Sequence, residues 1–337
     1  MKIVVTGGLG FIGSHTVVEL QNEGFEVVII DNLSNSSREV LEGIEAITSV
    51  LPIFEELDLR EKQSVQQFFK KYSDISAVIH FAASKAVGES VEDPLLYYEN
   101  NINTLVYVLQ ELQKKPAAQF IFSSSCTVYG QAEIMPITEN ASIQTAMSPY
   151  GNTKQIGEEI ITDVARVSNI TAILLRYFNP IGAHPTAHIG ELPMGVPQNL
   201  VPFITQTGIG MRQELSVYGD DYPTSDGTCV RDYIHVVDLA KAHVAAMKRL
   251  LQNKNKEKVE TFNVGTGTGS TVLEVIKTFE KVSGKKLPYK IVDRREGDIT
   301  SAYANTAKAN EELGWKALST LEDCLASAWK WEQKIRS

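Results

Sequence analysis

The first 31 residues constrain the fold of this chain more than any other stretch. Lys2-Ile3-Val4-Val5-Thr6 is a β-branched run, Gly7-Gly8-Leu9-Gly10-Phe11-Ile12-Gly13 is rich in glycine, residues 14–23 read as a helix, and Glu26-Val27-Val28-Ile29-Ile30-Asp31 is a second apolar run. A strand, a glycine turn, a helix and a strand within about 30 residues make the βαβ unit that binds a dinucleotide. A glycine run alone could merely shape a turn; the flanking strand and helix and the closing Asp31 point to the dinucleotide. Gly7 and Gly10 let the backbone turn tightly and approach a pyrophosphate, and Gly13 lets the helix pack close to the strand. The helix start, with Phe11 and Ile12 in its first turn, faces the phosphates with free N–H groups and a partial positive charge. Asp31 ends the second strand, where a carboxylate accepts both ribose hydroxyls and repels a 2′-phosphate. NAD(H) is therefore expected over NADP(H), with Arg38 as the one nearby cation acting the other way.

Strands and helices alternate through the first half. Helices are expected over 39–48, 64–72 and 94–115, the last opened by Asp93 as cap and Pro94 at the first position. Strands are expected over 53–57, 77–81, 119–122 and 170–175. The run Ala77-Val78-Ile79-His80-Phe81 is apolar throughout, as in a strand buried on both faces. Ala82 and Ala83 then offer small side chains beside a cofactor. This rhythm implies an α/β fold, a doubly wound parallel sheet of Rossmann type with crossover helices. After Pro180 the texture turns irregular, with regular pattern returning over 231–250 and 260–263. The expected division is a nucleotide-binding domain over 1–180, with a returning segment around 231–263, and a smaller α/β substrate-binding domain over 181–337. The glycines of 265–269 read as the entry turn of a helix over 272–281 or as a second phosphate loop.

Tyr150 and Lys154 stand four residues apart, after Ser148-Pro149 and beyond Phe122-Ser123-Ser124-Ser125. On a helix they share one face. A lysine charge beside the phenol favours phenolate and is expected to lower the tyrosine pKa from about 10. Such a tyrosine takes a proton from a sugar hydroxyl while a nicotinamide takes the hydride, and Ser125 bonds the same oxygen. Chance spacings of this kind occur on exposed helices; the βαβ unit gives this one its weight.

Composition excludes other classes. The net charge is −9 over 337 residues and no long basic run occurs, which argues against nucleic acid. No apolar run reaches about 18 residues and the chain opens directly on a strand, so neither a membrane span nor a signal peptide is expected, and a cytoplasmic protein is. Cys126, Cys229 and Cys324 are scattered and odd in number, and the six histidines are not clustered, so neither disulfides nor a metal site is expected.

Six segments taken in order resemble the extended short-chain dehydrogenase/reductase family, and within it the UDP-hexose 4-epimerases. They are residues 6–16, residues 85–90 (Lys85-Ala86-Val87-Gly88-Glu89-Ser90), residues 122–130, Leu175-Arg176-Tyr177-Phe178-Asn179-Pro180, Val230-Arg231-Asp232-Tyr233-Ile234-His235 and Arg294-Arg295-Glu296-Gly297-Asp298. The resemblance covers essentially the whole length. It implies a tightly bound NAD+ that takes hydride from C4 of a UDP-hexose, Tyr150 as acceptor of the O4 proton, Ser125 positioning O4, and Lys154 also holding the nicotinamide ribose. The 4-keto sugar rotates and hydride returns to its other face, interconverting UDP-glucose with UDP-galactose. Implied cofactor contacts are the glycine loop, Asp31, Asn32, Asn35, Asp58, Leu59, Phe81, Ala82, Ala83, Lys85, Asn100, Ser123, Tyr177 and Phe178. Implied UDP-sugar contacts are Lys85, Asn179, Asn199, Leu200, Ser216, Val217, Tyr218, Arg231, Arg295 and Asp298, with Arg231 and Arg295 suited to a diphosphate. Read without the resemblance, Asp58, Asn100 and Asn199 are equally caps or turn residues, and Arg294 and Arg295 an ordinary surface pair.

In the same family the residue four places after the Arg-Arg-Glu-Gly-Asp motif walls the pocket of the sugar C2 substituent. Here that residue is Ala302, followed by Tyr303, and its small size implies turnover of UDP-GlcNAc and UDP-GalNAc as well. A homodimer packed through helices 94–115 and 152–167 is also implied, though both helices read equally as covers of the sheet.

Two alternatives stand beside this one. An NDP-sugar 4,6-dehydratase begins with the same oxidation but uses an Asp-Glu pair where this chain has Cys126 and Thr127, which do no acid–base work at neutral pH; a decarboxylase of the family is disfavoured likewise. A non-catalytic NAD-sensing protein would have no need of the Ser125, Tyr150 and Lys154 set.

Overall fold

The computed structural model describes residues 2–295 and 298–337. Its first half runs β1 (Lys2–Thr6), α1 (Phe11–Asn22), β2 (Glu26–Asp31), α2 (Glu39–Thr48), β3 (Ile53–Glu56), α3 (Lys62–Lys71), β4 (Ala77–His80), α4 (Val87–Glu92), α5 (Pro94–Leu112), β5 (Ala118–Ser125), α6 (Pro149–Val167) and β6 (Ile170–Tyr177). The second half runs β7 (Asn179–Ile181), α7 (Leu200–Gly208), β8 (Leu215–Tyr218), β9 (Val230–Arg231), β10 (Tyr233–His235), α8 (Val236–Leu251), β11 (Val259–Val264), β12 (Ser270–Thr271), α9 (Val272–Ser283), β13 (Tyr289–Val292), β14 (Ser301–Ala302) and α10 (Leu321–Arg336).

Seven strands form one sheet in the order β11-β6-β5-β4-β1-β2-β3, with every pair parallel. The chain winds outward from β1 in one direction through β2 and β3, and in the other through β4, β5, β6 and β11. The direction reverses between β1 and β4, the switch point at whose carboxyl side doubly wound sheets take their ligands. Alternation along β1 explains the two faces. Ile3 and Val5 pack with Val17, Ile29 and Leu239 toward α1 and α8. Val4 packs with Val28, Phe68, Leu105 and Ile161 toward α3, α5 and α6. A further core joins Val201, Ile204, Leu215, Val217, Phe279, Leu325 and Trp329 between α7, α9 and α10. Among the described residues no helix is long and apolar enough to cross a membrane.

Several boundaries differ from the sequence expectation for local reasons. β5 does not stop before the serines, because its ladder with β6 continues to the pair Ser125 and Tyr177. α6 starts at Pro149, since the Ser148 hydroxyl accepts the Gly151 N–H at 3.1 Å and caps it there; Tyr150 thus lies in the first turn. α5 opens as expected on Asp93 and Pro94 but ends at Leu112. The short α4 has no counterpart among the expected helices. The 265–269 loop is no free phosphate cradle: the buried Asp232 carboxylate accepts the N–H groups of Thr266 (2.8 Å) and Gly267 (3.1 Å).

The returning β11 is tied to α8 by a buried pair. Arg249 donates to both oxygens of Glu260, at 2.7 and 2.8 Å, and its side chain also reaches Glu312. Burial raises the Glu260 pKa, but the Arg249 bonds, the Lys256 N–H and the Lys308 charge together outweigh it and hold it below the usual value. Glu260→Ala leaves the guanidinium buried and half-paired, a loss of about 3 kcal/mol. Denaturant unfolding should show that loss at neutral pH. Because the folded-state pKa is depressed, the pair's contribution is full above the ordinary glutamate range. The gap between wild type and variant should therefore close as pH falls through the folded-state value; a gap that stays constant into acid would contradict this account.

Candidate active site

The glycine turn is built to hold a ligand. Gly7 has φ of +66°, and a Cβ there would stand 2.9 Å from the Ala82 nitrogen; one on Gly13 would stand 2.2 Å from the Gly7 carbonyl oxygen. Only glycine allows the loops after β1 and β4 and the start of α1 to meet so closely. At Gly10, by contrast, a Cβ would meet only the Gly7 oxygen within 4 Å, at 3.2 Å, so the space in front of α1 is open. Gly10 is the N-cap and no side chain caps it. The first-turn N–H groups of the helix, from Phe11 and Ile12 onward, are donors suited to a diphosphate.

The other expected cofactor residues line the same carboxyl edge. Asp31, almost buried, accepts the Leu9 N–H (3.0 Å), the Leu33 N–H (3.0 Å) and the Ser36 hydroxyl (2.8 Å). Arg38 pairs with Glu56 and lies over the Phe54 ring, so its charge is engaged elsewhere. Asn32 donates to Asp58 (3.3 Å), whose carboxyl is held below its ordinary range, chiefly by Arg60. Leu59 is buried and Asn35 exposed. Phe81 leaves β4 with its ring 4.7 Å from that of His243, and Ala82 donates its N–H to Thr6; Ala83 follows, half-buried. Asn100, on α5, donates to the Ser84 hydroxyl at 2.9 Å, and exposed Lys85 stands 3.5 Å from Glu191.

The three serines at the end of β5 have three different tasks. Ser123 shares a 2.7 Å bond with the Tyr177 hydroxyl, and its carbonyl accepts Lys154 Nζ at 2.8 Å. Ser124 donates to Glu158 at 2.5 Å. The Ser125 Oγ accepts the Thr127 N–H at 3.2 Å, which leaves its own proton free to be donated. Tyr150 and Lys154 lie on the buried face of α6, with the ammonium 5.8 Å from the centre of the phenol ring. Burial pushes the Tyr150 pKa well above its ordinary value, while the Ser125 hydroxyl works the other way; burial also pulls Lys154 down to about 8. The lowered phenol expected from the sequence is thus not what burial alone produces. The ammonium bonds the Ser123 carbonyl and lies against the ring, while loss of hydration is the largest influence on the phenol.

The expected UDP-sugar residues fall on the small second-half elements. Exposed Asn179 begins β7, beside Phe178 at the end of β6. Asn199 is the N-cap of α7 ahead of Leu200, and donates to Glu191 at 2.8 Å. Ser216, Val217 and Tyr218 lie on β8, paired with β13, and the Val217 side chain is buried in the core. Arg231 donates to the carbonyls of Val230 and Ile299 and stands 3.6 Å from Asp298, which also accepts from Arg295 at 3.2 Å. Arg295 lies over the Tyr218 ring at 5.3 Å. Two guanidinium groups therefore converge on one carboxylate, an arrangement that suits an anionic ligand. Glu296 and Gly297 of that motif lie outside the described residues. Ala302 pairs with Arg231 in the β9–β14 ladder and is buried beside Val128, Tyr129 and Phe178. Tyr303 turns to the other side, near Gly269. Among the described residues no group of three or more His, Cys, Asp or Glu could hold a metal ion.

Residues 3–265 match the model of the NAD dependent epimerase/dehydratase family. The chain belongs to this family. It is 50% identical over 333 residues to the UDP-glucose 4-epimerase of Bacillus subtilis (strain 168), covering 98% of this chain and 97% of that protein. It is 47% identical over 340 residues to the UDP-glucose 4-epimerase of Mus musculus, covering 99% and 97%. The fold matches the structure of UDP-glucose-4-epimerase from Stenotrophomonas maltophila with bound NAD and formylated UDP-arabinopyranose, at a TM-score of 0.96 and 46% identity over 100% of this chain and 99% of that one. The enzyme from Bifidobacterium longum in complex with NAD+ and UDP matches at 0.94, also with 46% identity, over 100% and 99%. NAD is the cofactor of the family, and the open glycine cradle with its uncapped helix start fits it.

Sequence reasoning missed three residues that organise this site. Glu191 joins the Lys85 loop to Asn199. Asn101 accepts the Ser84 N–H and donates to Thr153, which in turn bonds the Tyr150 carbonyl. Glu158 buries a carboxylate one helical turn beyond Lys154. Only Glu158 left a signal, as a charge on the apolar face of α6; the other two are set by contacts distant in sequence.

Proposed function

We propose that this chain is an NAD-dependent 4-epimerase that interconverts UDP-glucose and UDP-galactose. The observation that carries the reading is the convergence of Ser125, Tyr150 and Lys154 at the carboxyl edge of the sheet, with Lys154 anchored on the Ser123 carbonyl. When bound, NAD+ accepts the hydride from sugar C4 and returns it. Acting as its phenolate, which the Lys154 ammonium and the Ser125 hydroxyl favour against the opposing effect of burial, Tyr150 takes the O4 proton and gives it back. Ser125, whose oxygen already accepts the Thr127 N–H, donates to the oxygens that carry that proton. The Lys154 ammonium has N–H groups beyond the one on Ser123, and these hold the nicotinamide ribose. Arg231 and Arg295 clamp the diphosphate, while Asn179, Asn199, Leu200, Ser216, Tyr218 and Asp298 frame the rest of the UDP-sugar. Asp31 would hold the adenosine ribose, and Asn32, Asp58 and Leu59 would hold the adenine end of the cofactor.

A dehydratase is disfavoured at the same spot. The Cys126 thiol is pushed up to about 12 by burial, and the Thr127 hydroxyl is buried without a partner among the described residues. Neither supplies the carboxyl groups that water elimination requires. The reading includes a nucleotide domain over 1–180 with α8 and β11 returning to it, and a substrate domain over 181–337. It also includes a homodimer through α5 and α6, which carry the partly exposed Ile102, Val106 and Ile156. Three free thiols suit the reducing cytoplasm.

The test of the reacting pair is Tyr150→Phe, which should lower turnover of UDP-galactose at least ~10²-fold with UDP binding kept. Lys154→Met should move the pH optimum upward, because the phenol then loses the nearby positive charge. Near-wild-type turnover by Tyr150→Phe would contradict the mechanism.

Cofactor choice is tested on protein purified without added nucleotide. Extraction and chromatography should recover NAD(H), because Asp31 repels a 2′-phosphate and Arg38 is occupied by Glu56. Recovery of NADP(H) would overturn the role given to Asp31.

Substrate breadth follows from Ala302. Its side chain is a single methyl group beside Phe178 and Val128, and the bulky neighbouring Tyr303 lies by Gly269; the small size of Ala302 is what carries the expectation of room for an acetamido group. We expect UDP-N-acetylglucosamine and UDP-N-acetylgalactosamine to be interconverted as well. Ala302→Tyr should lose that activity and largely keep the plain pair. Full activity of wild type on the plain pair with none on the N-acetylated pair would contradict the role of Ala302.

A further inference from the structure

One buried carboxylate lies where three elements meet beneath the reacting pair. Glu158 is four residues beyond Lys154, and the two share the inward face of α6. Its Oε1 accepts the Ser124 hydroxyl of β5 at 2.5 Å and Arg176 Nε of β6 at 2.9 Å; its Oε2 accepts Arg176 Nη2 at 2.6 Å. Arg176 is the register partner of Ser124. It also lies over the Tyr129 ring at 4.8 Å, and Tyr129 in turn donates to Asn263 of β11 at 2.6 Å. On either side of these two stand the functional neighbours: Ser125 follows Ser124, and Tyr177, bonded to Ser123, follows Arg176.

A buried ion pair is weak evidence for net stability, because desolvation offsets most of the attraction. What a fully bonded fork does supply is a single geometry. An apolar contact at this point would let α6 slide or rotate by fractions of an ångström. The fork does not, and Tyr150 and Lys154 are carried on the same helix.

We propose that Glu158 is a positioning residue for the reacting pair: clamped by Arg176 and Ser124, it fixes α6 on the sheet and sets a negative charge one helical turn from the Lys154 ammonium. The titratable and charged groups around Lys154 are few. Tyr150 and Glu158 share its helix, Tyr177 and Arg176 come from β6, His80 from β4, and Cys126 follows β5. Burial leaves Tyr177, Cys126 and His80 uncharged near neutral pH. Glu158 is the group that opposes the effect of burial on Lys154. The proposal rests on the roles given above to Tyr150 and Lys154.

Two variants of the full-length holoenzyme separate the geometric part from the electrostatic part. Glu158→Gln keeps the shape and removes the charge. With UDP-galactose its kcat should fall by ~10-fold or more, with KM within about threefold of wild type. The alkaline limb of its kcat–pH profile should move to lower pH by roughly half a unit or more, since Lys154 then loses its proton sooner. Arg176→Lys keeps the charge and removes the fork: kcat should fall while the limb stays in place. A Glu158→Gln enzyme with unchanged kcat, or with an unmoved limb, overturns the proposal. If that variant does not fold, Arg176→Lys decides, and wild-type kcat there overturns it. Tyr150→Phe in the same series distinguishes the two levels. Full activity of Tyr150→Phe removes the underlying reading, whereas an inactive Tyr150→Phe beside a normal Glu158→Gln removes only the role of Glu158.

Discussion

The bond from the Lys154 ammonium to the Ser123 carbonyl is the contact on which the rest of the site depends. It is a charge held almost entirely out of water, 4% exposed. An isolated ammonium in such a place would lose its proton. Three features work against that loss: the carbonyl at the end of β5, the ring faces of Phe122 and Tyr150 at 5.0 and 5.8 Å, and the Glu158 carboxylate one turn away. Each demands something of the fold. The carbonyl requires β5 to run on to its serines, the ring contacts require α6 to lie close against the sheet, and the carboxylate requires Arg176 at the matching point of β6. The parallel ladder between β5 and β6 satisfies the last of these by pairing Ser124 with Arg176.

The doubly wound sheet explains why residues so far apart in sequence act at one place. Because every strand of the main sheet is parallel, the segments after β1, β2, β3, β4, β5 and β6 all emerge at one edge. The glycine turn, Asp31, Asp58, Phe81, Ser125 and Phe178 are therefore neighbours by topology. The second-half elements then bring Arg231, Arg295 and Asp298 together across short ladders, β9 with β14 and β8 with β13. The structure thus separates an edge set by the main sheet from the cluster of Arg231, Arg295 and Asp298 set by the short ladders.

Much of this is legible in the sequence because it rests on local chemistry. The apolar runs mark the strands, and the glycine spacing marks the first turn. Asp93-Pro94 marks the start of α5, and the Tyr150 and Lys154 spacing places both side chains on one face. What the sequence does not disclose depends on partners distant in the chain. The extension of β5 through Ser125 is decided by β6, roughly 50 residues later. The start of α6 at Pro149 is decided by how Ser148 turns its hydroxyl. The direction of the Tyr150 pKa shift is hidden for the same reason: the helix alone puts a charge near the phenol, but only the packed site shows how little water reaches it. Glu191 and Asn101 bridge loops that nothing in their own neighbourhood connects. Glu158 is the intermediate case, since an acid on the buried face of an amphipathic helix is an anomaly that the sequence pattern of α6 already displays.

The central claim is that Tyr150 and a bound nicotinamide move a proton and a hydride at C4 of one sugar, and that neither the cofactor nor the keto sugar leaves between the two transfers. The most direct measurement follows UDP-galactose deuterated at C4, given to the purified protein with no added nucleotide and analysed by proton NMR. The expected product is UDP-glucose that keeps its deuterium at C4, formed without exchange with solvent. Loss of the label to water, or a product lacking the elements of water, would contradict it.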